Sequence, residues 1–247
     1  MPNQPLWGQI NRVLPIAVGV RVLAHLATEA AKPFVSVDEW HVRATDAAQA
    51  LRNHFETMDI AQEHRHGERW ATAFPEDVRA SRKRYMNQFL GYIRPKGQPE
   101  GGAALLGLVA FADGDPKKVT LTQGGALWAS LPNPIFDSPD GRAEETFSRE
   151  EAEHYITHVR RTVPAEFELM RSVAELVDAG KARTEIDDRL GELYPDWASY
   201  IGTVRAGALG RLQDLGLLRR ERRGIHVDYE LTDRARELSL TDAKGVR

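Results

Sequence analysis

The stretch Leu215–Thr232, LGLLRRERRGIHVDYELT, decides how this chain is read. Leu215-Gly-Leu-Leu218 closes an apolar helix end with a turn. Arg219, Arg220, Arg222 and Arg223 then surround a single Glu221 on a rising strand. Gly224 marks a turn, and the alternating run after it returns as a second strand. Thr232 stands where a helix cap belongs. The spacing predicts a β-hairpin with a basic tip. Two uses are open for it: a grip on nucleic-acid phosphates, or a solvated hairpin whose arginines pair with acids such as Asp228 and Glu230. Successive strand residues point to opposite faces, so the four arginines cannot all meet one partner.

The stretch has relatives in the same chain. LGLL (215–218) matches LGLV (106–109), and ELT (230–232) matches TLT (120–122). Three residues after each threonine comes a small residue, Ala235 or Gly125. Three further on comes a large apolar one, Leu238 or Trp128. A fainter third copy, 58–74, aligns without gaps on 215–231 and places Gly67 on Gly224. Its hairpin is expected over IAQEHRHGERWATAF (60–74), with glycine at the tip.

Bulk properties bound the rest. The 247 residues are 42 % hydrophobic and 28 % charged, ordinary for a chain that buries a core. There is no cysteine, so disulfides and thiolate metal sites are excluded and an intracellular, cytoplasmic protein is the natural expectation, nucleoid-associated where the hairpin grips nucleic acid. The longest apolar run, VLPIAVGVRVLAHLA (13–27), is broken by Arg21 and shorter than the roughly 20 residues of a membrane span. The N-terminus lacks the basic-then-apolar order of a signal peptide. The net charge of −3 argues against indiscriminate coating of nucleic acid. Its distribution is uneven. Residues 1–140 carry 15 Lys+Arg against 15 Asp+Glu, 141–200 carry 8 against 14, and 201–247 carry 10 against 7.

Helical periodicity dominates, so the fold class expected is mainly α with small β-hairpins (α+β). Ile16, Val20, Leu23 and Leu26 form one apolar stripe within a helix at about 10–31. Ser36 and Glu39 read as a capping box. Thr45 reads as the cap of a further helix, with Ala48, Leu51, Phe55 and Met58 inward. A helix is expected over 79–93, and 94–102 is a Pro/Gly-rich loop. The three prolines of LPNPIFDSPDGR (131–142) make it the best linker. Ser148 and Glu151 read as a second capping box. Helices follow at 165–179, 183–193 and 196–214, and a short one after Thr232.

Helices, a two-stranded ribbon and a threonine-capped closing helix resemble the winged helix-turn-helix superfamily. The resemblance is close over 184–239 and covers 36–74 more loosely. It implies tandem winged-helix units: a first over 1–78, a truncated or structural one over 79–137, and a C-terminal domain over 138–247. The middle copy departs from the pattern, because the Pro/Gly-rich loop falls where a recognition helix is needed.

What the resemblance implies is binding of double-stranded DNA, with the third helix in the major groove and the wing on the backbone or minor groove. In the first unit the candidates are Gln49, Arg52 and Asn53 on the helix, and Arg65 and Arg69 on the wing beside His64 and His66. In the last unit Ser199, Thr203, Arg205 and Arg211 are expected to face outward from a stripe of Trp197, Ile201, Val204, Ala208, Leu212 and Leu215. Gly202, Ala206, Gly207 and Gly210 either leave room there for a closely approaching backbone or simply weaken or bend the helix. The wing is Arg219, Arg220, Arg222 and Arg223. A homodimer or a protein partner is expected, and no membrane. The simplest role is a transcriptional regulator. The alternative is a non-catalytic DNA-recognition or scaffold subunit of a DNA-processing or defence complex, restriction-like or partnering a chromosome-condensing ATPase.

Catalytic patterns do not emerge. The chain lacks a Walker-type loop and a Gly-x-Gly-x-x-Gly fingerprint. The acidic runs at 75–77 and 186–188 lack a lysine at useful spacing. His154 and His158, four apart with Glu151 on the same side, have metal-chelating spacing that surface histidines also reach by chance. No enzyme activity, metal or cofactor is expected.

Overall fold

The computed structural model describes residues 5–6, 8–61, 70–95, 97–112, 117–137, 145–223, 226–238 and 240, with the side chains of 58–61, 222, 223 and 226 outside that description. Among these residues the chain is mainly helical with small antiparallel sheets. No described helix is long and apolar enough to cross a membrane. The chain divides into a central unit, Leu14–Leu131, and a terminal unit made of Met1–Val13 and Pro132–Arg247.

In the central unit, α1 (Leu14–Glu29) buries Ile16, Val20, Leu23 and Leu26, the stripe read from the sequence. β1 (Val35–Ser36) leads directly into α2 (Val37–Ala61), with Asp38 and Glu39 in the first turn. The helix expected to start at Thr45 is this same helix. Thr45 is buried, and its hydroxyl donates to the His41 carbonyl one turn back at 2.6 Å, so it caps nothing. The middle of the hairpin expected over 60–74, residues 62–69 with its Gly67 tip, lies outside the described residues; at its two ends α2 runs to Ala61, and Trp70–Ala73 is a 3-10 turn. Phe55 meets Trp70 edge-on at 5.3 Å and stacks on Phe74 at 5.8 Å, which clasps this segment to α2.

Next come α3 (Arg79–Tyr85), a π-helical turn Met86–Leu90, and the two-residue strands β2 (Tyr92–Ile93) and β3 (Pro99–Glu100). A single-turn α4 (Gly102–Leu105) precedes β4 (Val109–Ala112), β5 (Lys118–Leu121) and α5 (Gln123–Ser130). β5 pairs antiparallel with β4 (Val109↔Leu121) on one side and β1 (Val35↔Val119) on the other, giving the order β1-β5-β4. This sheet overrides the boundary expected at 78/79. The strand before α2 completes its hydrogen bonding with the hairpin of the middle copy, so the two stretches share one unit.

In the terminal unit, Ser148 and Glu151 form the expected capping box at the start of α6 (Arg149–Thr162). Buried Glu151 also accepts from the Asn133 amide at 2.8 and 3.1 Å, tying 133 to the helix start. α7 (Pro164–Asp178) and α8 (Arg183–Leu193) follow, then a 3-10 turn Pro195–Tyr200 and α9 (Ile201–Asp214). β6 (Leu218–Arg223) pairs with β7 (His226–Leu231), and α10 (Asp233–Glu237) closes the unit. α7 packs on α9 and β7, and α8 packs on α9.

The internal repeat recurs bond for bond. Gly107 and Gly216 take φ of +67° and +69°, where glycine is the unstrained choice. Both end a helix the same way: Leu108 N–H reaches the Ala103 carbonyl and Leu217 N–H the Leu212 carbonyl, each at 2.9 Å. The Thr122 and Thr232 hydroxyls donate to the Gly107 and Gly216 carbonyls, both at 2.8 Å. The same two hydroxyls accept from Gly125 N–H (3.1 Å) and Ala235 N–H (3.4 Å), capping α5 and α10. A Cβ at position 125 would collide with the Leu108 carbonyl, so the small residue of the repeat is required for close packing.

Candidate nucleic-acid interface

The β6–β7 register sorts the arginines. Arg219↔Glu230, Glu221↔Asp228 and Arg223↔His226 share one face, and Leu218↔Leu231, Arg220↔Tyr229 and Arg222↔Val227 share the other. The first face mixes cations with three acids. The second runs from the buried Leu218 and Leu231 to two arginines, a tyrosine and Val227, with no acid. Arg219 is exposed, and Arg220 is half-buried with its Nε unpartnered. The side chains of Arg222 and Arg223 lie outside the described ones. Opposite-charge pairing across the strands thus supports a solvated hairpin on one face only.

α9 keeps the expected inner stripe from Val204 through Ala208 and Leu212 to Leu215. Trp197 and Ile201 are only half-buried, because 195–200 winds as a 3-10 turn, and Trp197 stacks on Tyr194 at 6.2 Å. Ser199 and Thr203 are exposed, as expected. Arg205 and Arg211 are not. Arg205 is 5 % exposed and pairs with Asp187 of α8. Arg211 is fully buried: its Nε donates to Glu166 at 2.7 Å, its Nη2 to the same carboxylate at 3.2 Å, and its Nη1 to the Ile10 carbonyl at 2.5 Å. Helical periodicity placed both arginines outward; the buried Glu166 on α7 and the half-buried Asp187 on α8 draw them in.

The backbone that approaches the α9 glycines belongs to the chain's own N-terminal segment. A Cβ at Gly207 would fall 2.7 Å from the Gly8 backbone, and one at Gly210 would strike the Asn11 carbonyl. Leu6 N–H donates to Glu166 at 2.8 Å, and Val13 N–H donates to Asp214 at 2.7 Å. Arg12 pairs with Asp214 at 2.8 Å. Burial pushes the Glu166 carboxyl up, while Arg211 and the Leu6 amide oppose that shift. The segment covers one flank of α9, where Gly8 packs against the Thr203 carbonyl and methyl, and leaves Ser199 and Ala206 exposed.

The candidates on α2 serve internal structure. Arg52 donates to the carbonyls of Phe74 (3.0 Å) and Ala71 (3.4 Å) and pairs with Glu56 at 2.9 Å. Gln49 accepts from Arg82 at 2.6 Å. Asn53 is exposed. His64, Arg65, His66 and Arg69 lie outside the described residues. The central unit's cations stand elsewhere, on α3, where Arg79, Lys83 and Arg84 are exposed. The signal was legible as RASRKR (79–84), four basic residues in six with no acid.

The histidine pair of α6 stacks ring on ring at 5.9 Å. Glu151 is committed to Asn133 and Ser148. No group of three His, Cys, Asp or Glu able to hold a metal occurs among the described residues. Compared with protein-family models, curated proteins and solved structures, the chain matches none of them.

Proposed function

We propose that the chain is a double-stranded-DNA-binding protein of the winged-helix kind, most simply a transcriptional regulator. The observation that carries this reading is the acid-free hairpin face with Arg220 and Arg222, on the strands that follow α9. Two arginines with no cross-strand acid suit phosphate oxygens, which take charge-assisted hydrogen bonds. The exposed Ser199 and Thr203 offer hydroxyls to either base edges or phosphates. In support of the superfamily, the order of α7, α8, α9 and hairpin is that of a winged unit. The order β1-β5-β4 is also that of a winged unit's small sheet. The central unit then carries a winged fold whose helix before the hairpin is cut to one turn.

A second reading, a non-catalytic subunit of a DNA-processing complex, is favoured by apolar exposure at the α8–α9 junction. Leu193 is 45 % and Tyr200 61 % exposed there, a surface suited to a protein partner. A titration on random-sequence duplex DNA between about 50 and 200 mM salt tests the DNA reading. Binding that weakens steeply with salt is expected. No binding at the lower salt overturns the DNA reading and leaves the protein-partner one.

A further inference from the structure

We propose that the outer face of α3 binds DNA phosphates, giving the central unit a backbone-contacting surface of its own. This rests on the DNA reading above and adds a site that neither the hairpin nor α9 supplies. Arg79 and Lys83 are four residues apart and therefore stack along one helix face, with Arg84 beside them. All three are exposed, and α3 contains no acid.

The nearby acids pair with other arginines, Glu76 with Arg52 at 3.6 Å and the rest with the fourth cation of the run. Arg82 turns inward to Asp46 at 2.5 Å and to Asp77 at 3.6 Å, and it also holds Gln49. Among the described residues Arg79, Lys83 and Arg84 have no ion pair; Arg84 has a hydrogen bond to the Ser81 hydroxyl at 3.5 Å. Other arginines of the unit are matched with glutamates: Arg43 with Glu29, Arg52 with Glu56, Arg94 with Glu100. Arg79 and Lys83 on one face, with Arg84 on the adjoining one, thus form a cluster of cations without a paired carboxylate among the described residues.

The helix that presents them is fixed. The Ser81 hydroxyl accepts from Glu76 N–H at 3.1 Å, and the Tyr85 hydroxyl donates to the Pro15 carbonyl at 3.0 Å. Phe89 and Leu90 bury the π turn that follows. Cations spread over a convex helix suit a polymer of repeating charge better than a single small anion. Arg79 and Lys83 are separated by roughly 6 Å along the axis, and duplex DNA carries a charge about every 1.7 Å of its own. The exposed apolar residues beside them are Val78 and Ala80, with no aromatic among them, where a protein interface centres on aromatic anchors.

The test is a salt titration of the full chain on short random-sequence duplex DNA, comparing wild type with R79A/K83A/R84A. The triple variant should lower the slope of log affinity against log salt by about 0.9 per lost contact, up to about 2.7. Its melting temperature should not move, because the three side chains are exposed. R79K/R84K should keep the slope; if the triple variant misfolds, the single variants R79A and K83A serve as the readout, each expected to lower the slope by about 0.9, and an unchanged slope in both overturns the α3 site. Failure of the wild type to bind overturns the DNA reading itself. Wild-type binding with an unchanged triple-variant slope overturns the α3 site alone. So does a triple variant that keeps its DNA slope but loses binding to polyglutamate, which assigns the face to an acidic protein segment.

Discussion

Arg211→Ala should destabilise the terminal unit by about 3–5 kcal/mol, the cost of stranding one member of a buried ion pair. Arg211 and Glu166 are both fully buried, and their contact is two-pronged. With the guanidinium gone, Glu166 keeps only the Leu6 amide among its described partners. The penalty should depend on pH. Burial raises the Glu166 pKa, and loss of Arg211 removes the chief opposing influence. A carboxyl whose folded pKa lies above its unfolded one favours folding at low pH and loses that contribution as pH rises through the folded value. The variant's deficit should therefore be smallest in mild acid and largest near neutrality. Urea denaturation at several pH values checks this. Replacing both partners by apolar residues of similar size should recover most of the loss. A deficit below about 1 kcal/mol and flat with pH would mean the pair is not the buried clamp described here.

Deleting residues 1–13 should unfold the terminal unit while the central unit survives. Leu6, Ile10 and Val13 are 1 %, 4 % and 0 % exposed. Burying each is worth roughly 1.5–3 kcal/mol, so together they approach the whole stability of a small domain. The deletion also strips Glu166 of its amide donor, Arg211 of its carbonyl acceptor and Asp214 of Arg12. The central unit begins at Leu14 and keeps its own sheet and helices. Limited proteolysis read by mass spectrometry should show rapid cutting within 145–240 and persistence of 14–131. Equal protection of both parts in the truncated chain would refute the integral role of the N-terminal segment.

These two results concern features the sequence concealed. Gly207 and Gly210 were open to two readings, a close backbone or a weakened helix, and neither pointed to 8–11 of the same chain, some 200 residues away. Arg205 and Arg211 read as outward because periodicity sees spacing and not the acids waiting on α7 and α8. Local signals fared better. α8 spans the expected 183–193, and the Ser148 box and both threonine caps are present. The hairpin of the opening stretch pairs in register from Leu218↔Leu231. Thr45 misled because a threonine can bond its own preceding turn as well as cap a helix. The site was legible as a basic hairpin, and only the register separated its balanced face from its acid-free one.

That separation is the most direct point of attack on the account. Two double variants, R220A/R222A and R219A/R223A, remove the same charge from opposite faces of one hairpin. In a salt titration on duplex DNA, R220A/R222A should lower the slope by about 2, one unit per lost phosphate contact. R219A/R223A should leave the slope at the wild-type value, since those arginines share their face with Glu221, Asp228 and Glu230. Equal losses in the two variants, or a loss confined to R219A/R223A, would contradict the claim that the acid-free face grips the backbone.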